Sequence, residues 1–79
     1  MTKKEQRIRD FYGITIGFIE EFPDGRKIAR DFYRRKLGEY NPNANVTRDF
    51  YGRIVARGDF TASLIHNANA LKNDNGRQP

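Results

Sequence analysis

A chain of 79 residues with 15 Lys and Arg against 10 Asp and Glu, for a net charge of +5, makes one small basic domain; at that length, folding buries only about 60% of the surface an unfolded chain exposes. The absence of Cys excludes disulfides, thiolate metal sites and a cysteine nucleophile, and His66 alone supplies neither a histidine zinc site nor a catalytic triad. No apolar run approaches the ~20 residues of a membrane span and no signal-peptide core is seen, so a cytoplasmic chain with no membrane partner is expected.

In chain order, residues 1–7 are polar and charged (Lys3, Lys4, Glu5, Arg7) and are expected to fray. Arg9-Asp10-Phe11-Tyr12 then opens a unit that recurs as Arg30-Asp31-Phe32-Tyr33 and Arg48-Asp49-Phe50-Tyr51. The likeness extends beyond the tetrapeptide. An apolar residue (Ile8, Ile28, Val46) shortly precedes each Asp. Gly13, Arg34 or Gly52 follows it at the third position, Ile16, Leu37 or Val55 at the sixth, and Gly17, Gly38 or Ala56 at the seventh. The chain therefore divides into repeats at about 8–29, 30–47 and 48–59, units that cannot bury an apolar face without their neighbours.

Asp followed by Gly at the third position marks a type I turn: the carboxylate accepts hydrogen bonds from the turn's backbone N–H groups, and Gly accepts the positive φ that follows. Short β-rich runs flank each turn. Phe22-Pro23-Asp24-Gly25 and Asn41-Pro42-Asn43-Ala44-Asn45 mark further turns between the repeats. The alternation of strand and turn predicts an all-β antiparallel meander of six short strands. A period of two running through the first motif is the competing register; it would give three long strands, the first bulged at Gly13. Arg34 breaks the Gly rule of the six-strand register, so Arg34→Gly is expected to stabilise the domain. After Gly58-Asp59 the spacing of Phe60, Leu64, Ile65, Ala68 and Leu71 predicts a short helix over about 60–71, with Asp59 or Thr61 as its N-cap. The tail, about 73–79, is expected to be disordered.

The residues are poor in catalytic chemistry. Ser63 and His66 fall within one helical turn, but no orienting carboxylate or oxyanion hole is evident. Glu20 and Glu21 are adjacent, so a strand points them to opposite faces. No phosphate loop is present. The expectation is a non-enzyme with no catalytic residue, no metal, no cofactor and no small-molecule substrate. Two binding readings remain. In the first, Phe fills a repeating core or populates one sheet face while Tyr lines the other, and the apolar face that a short helix cannot cover pairs with a second copy or another protein. Self-association, or docking onto another protein, is the leading reading; the inference of two contact surfaces from the Phe-Tyr pair lapses if the pair lies within the turn. In the second, single-stranded nucleic acid binds the repeats, with Tyr12, Tyr33 and Tyr51 stacking on bases and Arg30, Arg35, Arg48 and Arg53 meeting phosphate. The Asp beside each repeat Arg offsets its charge. A solvent-facing row of these tyrosines beside Arg side chains favours the nucleic-acid reading over the other.

Arg48-Asp49-Phe50-Tyr51-Gly52-Arg53-Ile54-Val55, the hairpin between copies and the run Ser63-Leu64-Ile65 resemble small bacterial proteins that carry tandem Asp-Phe-Tyr-Gly-Arg-Ile-type repeats. The resemblance covers roughly residues 8–65 and implies a bacterial or mobile-element origin and the repeat boundaries above. Ile14 stands where that pattern has Arg, and Arg34 where it has Gly. No catalytic residue is implied.

Overall fold

Six strands follow one another along the chain: β1 (Lys4–Arg9), β2 (Thr15–Glu21), β3 (Lys27–Asp31), β4 (Lys36–Asn41), β5 (Val46–Asp49) and β6 (Ile54–Arg57); helix α1 (Thr61–Gly76) closes the order. The computed structural model describes residues 3–76, with side chains through residue 70. Every strand pairs antiparallel with the next, in the order β1-β2-β3-β4-β5-β6, so the sheet is an open meander. Both features match the six-strand expectation, and the long bulged strand is excluded: residues 10–13 turn the chain instead of continuing it.

The bulges lie elsewhere, and they follow the repeat. The register shifts as Ile8 faces Gly17 but Arg9 faces Thr15, as Ala29 faces Gly38 but Arg30 faces Lys36, and as Thr47 faces Ala56 but Arg48 faces Ile54. The extra residue is Ile16, Leu37 or Val55, the same position in each copy. A bulge adds twist and re-aims the side chains beside it.

Helix α1 lies across β2, β3 and β4. Its inner stripe is Thr61, Leu64, Ile65 and Ala68, and Ile65 is buried with Ile8, Ile16, Ile19 and Ala29, flanked by Leu37 and Leu64. The close approach is made at Gly17 and Gly38: a Cβ built on Gly17 would lie 2.6 Å from Ile65 Cγ2, and one on Gly38 2.6 Å from Leu64 Cδ1. The helix start is tied down by Asp59, whose Oδ1 accepts from the Thr61 N–H (3.2 Å) and hydroxyl (2.7 Å), as expected of an N-cap side chain. Buried Thr47 fixes the connection from β6: its hydroxyl donates to Gly58 O (2.6 Å) and accepts from Phe60 N–H (3.0 Å). Among the described residues no helix is long and apolar enough to cross a membrane.

Two sequence expectations are corrected. Residues 4–7 belong to β1, paired along its length with β2; their charges suit the edge of a sheet, where they discourage pairing with another chain. The helix runs past 71 to Gly76, through the first part of the expected disordered tail, while residues 77–79 lie outside the described residues. The face opposite α1 carries Phe18 and Glu20, and charged side chains close over both. The Arg34 guanidinium lies 4.0 Å from the Phe18 ring centroid and donates to Glu5 Oε2 (2.7 Å). Buried Glu20 accepts from Lys3 Nζ (2.8 Å) and Arg30 Nε (2.9 Å). The Lys3 hydrogen bond, joined by Arg30, holds the Glu20 carboxyl below its ordinary range against the opposing effect of burial.

Arg34 has φ +68°, as the turn demands, but its side chain is this lid over Phe18. Arg34→Gly therefore relieves backbone strain while uncovering an aromatic ring and orphaning Glu5. The expected urea midpoint of Arg34→Gly is no higher than that of the parent, contrary to the expectation from the turn alone. Gly13→Ala isolates the strain: Gly13 has φ +82° and nothing within 4 Å of an added Cβ, so it should cost about 1 kcal/mol.

Candidate functional site

Each repeat turns on the same hydrogen bonds. The Asp10 carbonyl accepts from Gly13 N–H (3.0 Å) and Asp10 N–H donates to Ile14 O (2.9 Å), closing a three-residue loop of Phe11, Tyr12 and Gly13. Asp10 Oδ1 also accepts from the N–H groups of Tyr12 (2.9 Å) and Ile14 (3.0 Å). Asp49 repeats all four contacts with Gly52, Arg53 and Tyr51. At the middle copy Asp31 N–H donates to Arg35 O, the Asp31 carbonyl accepts from Arg34 N–H, and Asp31 Oδ1 accepts from Arg35 N–H, each at 2.9 Å. This is a type I turn followed by a left-handed residue, the usual three-residue hairpin.

The loop geometry pushes Phe and Tyr outward. Their exposure ranges from 54% at Phe32 to 95% at Phe11, so none of the six repeat aromatics is in the core. The expectation that Phe fills a repeating core is wrong for this reason: the pair occupies the two central positions of the turn, beyond the end of the strands. The same placement removes the alternating faces on which sheet-face pairing was argued. Each Phe-Tyr pair holds one shape, with ring centroids 5.4 Å apart and planes at 81–86°, an edge-to-face contact favoured by the ring quadrupoles.

Because the three loops join β1 to β2, β3 to β4 and β5 to β6, they share one end of the sheet. Alternate hairpins are two strand spacings apart, about 10 Å. Tyr12, Tyr33 and Tyr51 thus form a solvent-facing row, and the named arginines accompany it. Arg35 lies 5.5 Å from the Tyr33 ring centroid, and Arg53 5.3 Å from that of Tyr51. Their Nε atoms donate to Asp31 Oδ2 (2.8 Å) and Asp49 Oδ2 (3.0 Å). Arg30 and Arg48 brace the loops from behind through Nη1, donating to Arg34 O (3.1 Å) and Gly52 O (2.9 Å). Burial opposes the charged form of Asp31 and Asp49, but the backbone and side-chain hydrogen bonds of Arg35 and Arg53 outweigh it and hold both carboxyls below their ordinary range. The first tip differs: exposed Ile14 takes the place of Arg and makes it the most apolar of the three.

Of the residues singled out from the sequence, Tyr12, Tyr33 and Tyr51 sit at these tips with Arg35 and Arg53 beside them, whereas Arg30 and Arg48 lie behind them on β3 and β5. Phe11, Phe32 and Phe50 were missed as surface residues, although the Asp-to-Gly turn spacing already placed them at its crest. Elsewhere, Ser63 and His66 lie on the exposed side of α1, and among the described residues no group of three His, Cys, Asp or Glu could hold a metal ion. No family model, curated protein or solved structure matches this chain.

Proposed function

We propose that this chain is a cytoplasmic, non-enzymatic interaction module that meets its partner end-on, through three Phe-Tyr hairpin tips. The observation that supports it is the exposure of the six repeat aromatics at one end of the sheet. A turn closed by Asp and Gly needs no aromatic residue at its crest, so these rings add apolar surface to solvent without adding core. Tyr, Phe and Arg are also the residue types enriched where proteins bury contact surface. Self-association remains compatible with this reading, but through the tips and not through a sheet face covered by Arg34, Arg30 and Lys3. Single-stranded nucleic acid is the second reading: the row of tyrosines beside Arg35 and Arg53 is the arrangement that favours it, but each guanidinium already lies against a ring and is paired with Asp31 or Asp49.

The test separates folding from use. Replacing Tyr12, Tyr33 and Tyr51 together by Ser should leave the far-UV spectrum intact and change the urea midpoint by no more than about 0.5 kcal/mol per site, as for other surface positions. A cooperative collapse of the fold would mean that the rings are structural and would overturn the end-on reading.

A further inference from the structure

We infer that the three tips are a peripheral anchor for an anionic lipid bilayer, with Phe11, Phe32 and Phe50 entering the boundary between headgroups and acyl chains and the arginines behind them meeting headgroup phosphates. This rests on the end-on reading and names its partner. The first support is shape. Three apolar crests at one end of the same sheet, about 10 Å apart, are close enough to engage one surface, and aromatic residues favour the membrane interface.

The second support is the state of the backbone. A polar group that enters a water-poor layer is costly unless paired. In the first tip the N–H groups of Tyr12, Gly13 and Ile14 are all satisfied within the turn, and in the third so are those of Tyr51, Gly52 and Arg53. The turn hydrogen bonds thus cover the backbone donors that follow each of these two phenylalanines, though not the Phe11 and Phe50 N–H groups themselves. The same bonds argue against nucleic acid. A cup of backbone N–H groups is where a phosphate would sit, and here the Asp carboxylate already fills it. Stacking a base on Tyr33 or Tyr51 would also compete with the guanidinium that lies over each ring.

The third support is charge and its direction. The Arg35 and Arg53 side chains are 76% and 74% exposed although each touches Asp, so their remaining N–H groups face outward behind the crests. The opposite end of the sheet has no repeated aromatic crest: its turns are Pro23-Asp24-Gly25 and Asn41–Asn45, with Asp24 accepting from Arg26, and its aromatics include Phe22, which lies under Arg26 and Lys3, and Phe60 at the start of the helix. The cytoplasmic leaflet carries the negative surface potential that basic groups sense. A peripheral anchor needs no membrane span, so the expectation of no membrane partner, drawn from the lack of one, does not bear on it.

The experiment uses the full chain and sedimenting vesicles of phosphatidylcholine, with and without phosphatidylserine. Binding to the phosphatidylserine vesicles is expected, weaker on phosphatidylcholine alone and weaker in high salt. Each of Phe11→Ser, Phe32→Ser and Phe50→Ser should weaken it by about tenfold, the loss of one buried ring. In Phe32→Trp the emission should shift to the blue and be quenched by brominated acyl chains. Circular dichroism confirms that each variant is folded. No binding to anionic vesicles overturns the lipid assignment. If a labelled single-stranded oligonucleotide binds instead, and the Phe→Ser set abolishes that binding, the end-on reading stands while the lipid assignment falls. Vesicle binding that survives loss of all three phenylalanines overturns both.

Discussion

Ile65→Ala should cost 2–5 kcal/mol, the range of about that size seen when a fully buried aliphatic side chain is truncated. Ile65 is 1% exposed and is the residue through which α1 reaches the sheet cluster of Ile8, Ile16, Ile19 and Ala29. The loss is large against the total, since a chain this long has roughly 4–12 kcal/mol of stability to begin with. Among the described residues the helix is also the only layer over the apolar face of the sheet, so a cavity at its centre has few neighbours able to collapse into it. The measurement is the urea midpoint followed by far-UV and tyrosine signals together. A cost below about 1 kcal/mol would show that the helix is not what covers the sheet.

Gly17→Ala should be severe as well. A Cβ at Gly17 would stand 2.5 Å from the Arg30 carbonyl oxygen and 2.6 Å from Ile65 Cγ2. The first neighbour is backbone on the adjacent strand, paired in register with β2, and cannot swing aside. Overpacking of this kind typically costs about 1–3 kcal/mol. Combining it with Ile65→Ala separates the two collisions. Removing Ile65 Cγ2 relieves one of them, so the double variant should be less destabilised than the sum of the singles, by something on the order of 1 kcal/mol. Strict additivity would mean that the strand backbone alone sets the penalty and that the helix does not press on Gly17.

These two positions show which parts of the architecture were legible in the residues. The Asp-to-Gly spacing was enough to place the three hairpins, because a turn is a matter of four or five consecutive residues. Hydrogen bonds from N–H groups to the Asp carboxylate, and positive φ at Gly13 and Gly52, are decided locally. Arg34, at φ +68°, shows that the local rule holds even where the residue is unfavourable. The recurrence of Gly17, Gly38 and Ala56 at one repeat position was equally visible, but its meaning was not. Gly17 and Gly38 are the points where Ile65 and Leu64 of the helix press closest to the sheet, whereas the equivalent residue of the last copy, Ala56, carries a methyl group.

The repeat itself, the order of six strands, the hairpin positions and the start of the helix were therefore determined by the sequence alone, because each depends on short-range backbone preferences and on the period of apolar residues. Tertiary structure decided the rest. It placed the Phe-Tyr pairs outside the core, because the strands end before them. It laid the helix across β2, β3 and β4, and so chose which face is apolar. It covered the other face with Arg34, Arg30 and Lys3, long side chains whose carboxylate partners, Glu5 and Glu20, lie on neighbouring strands or further along the chain. Contacts made across strands have no signature in local sequence, and they are what turned an apparent shortage of core into a small packed layer with the six repeat aromatics exposed at one end.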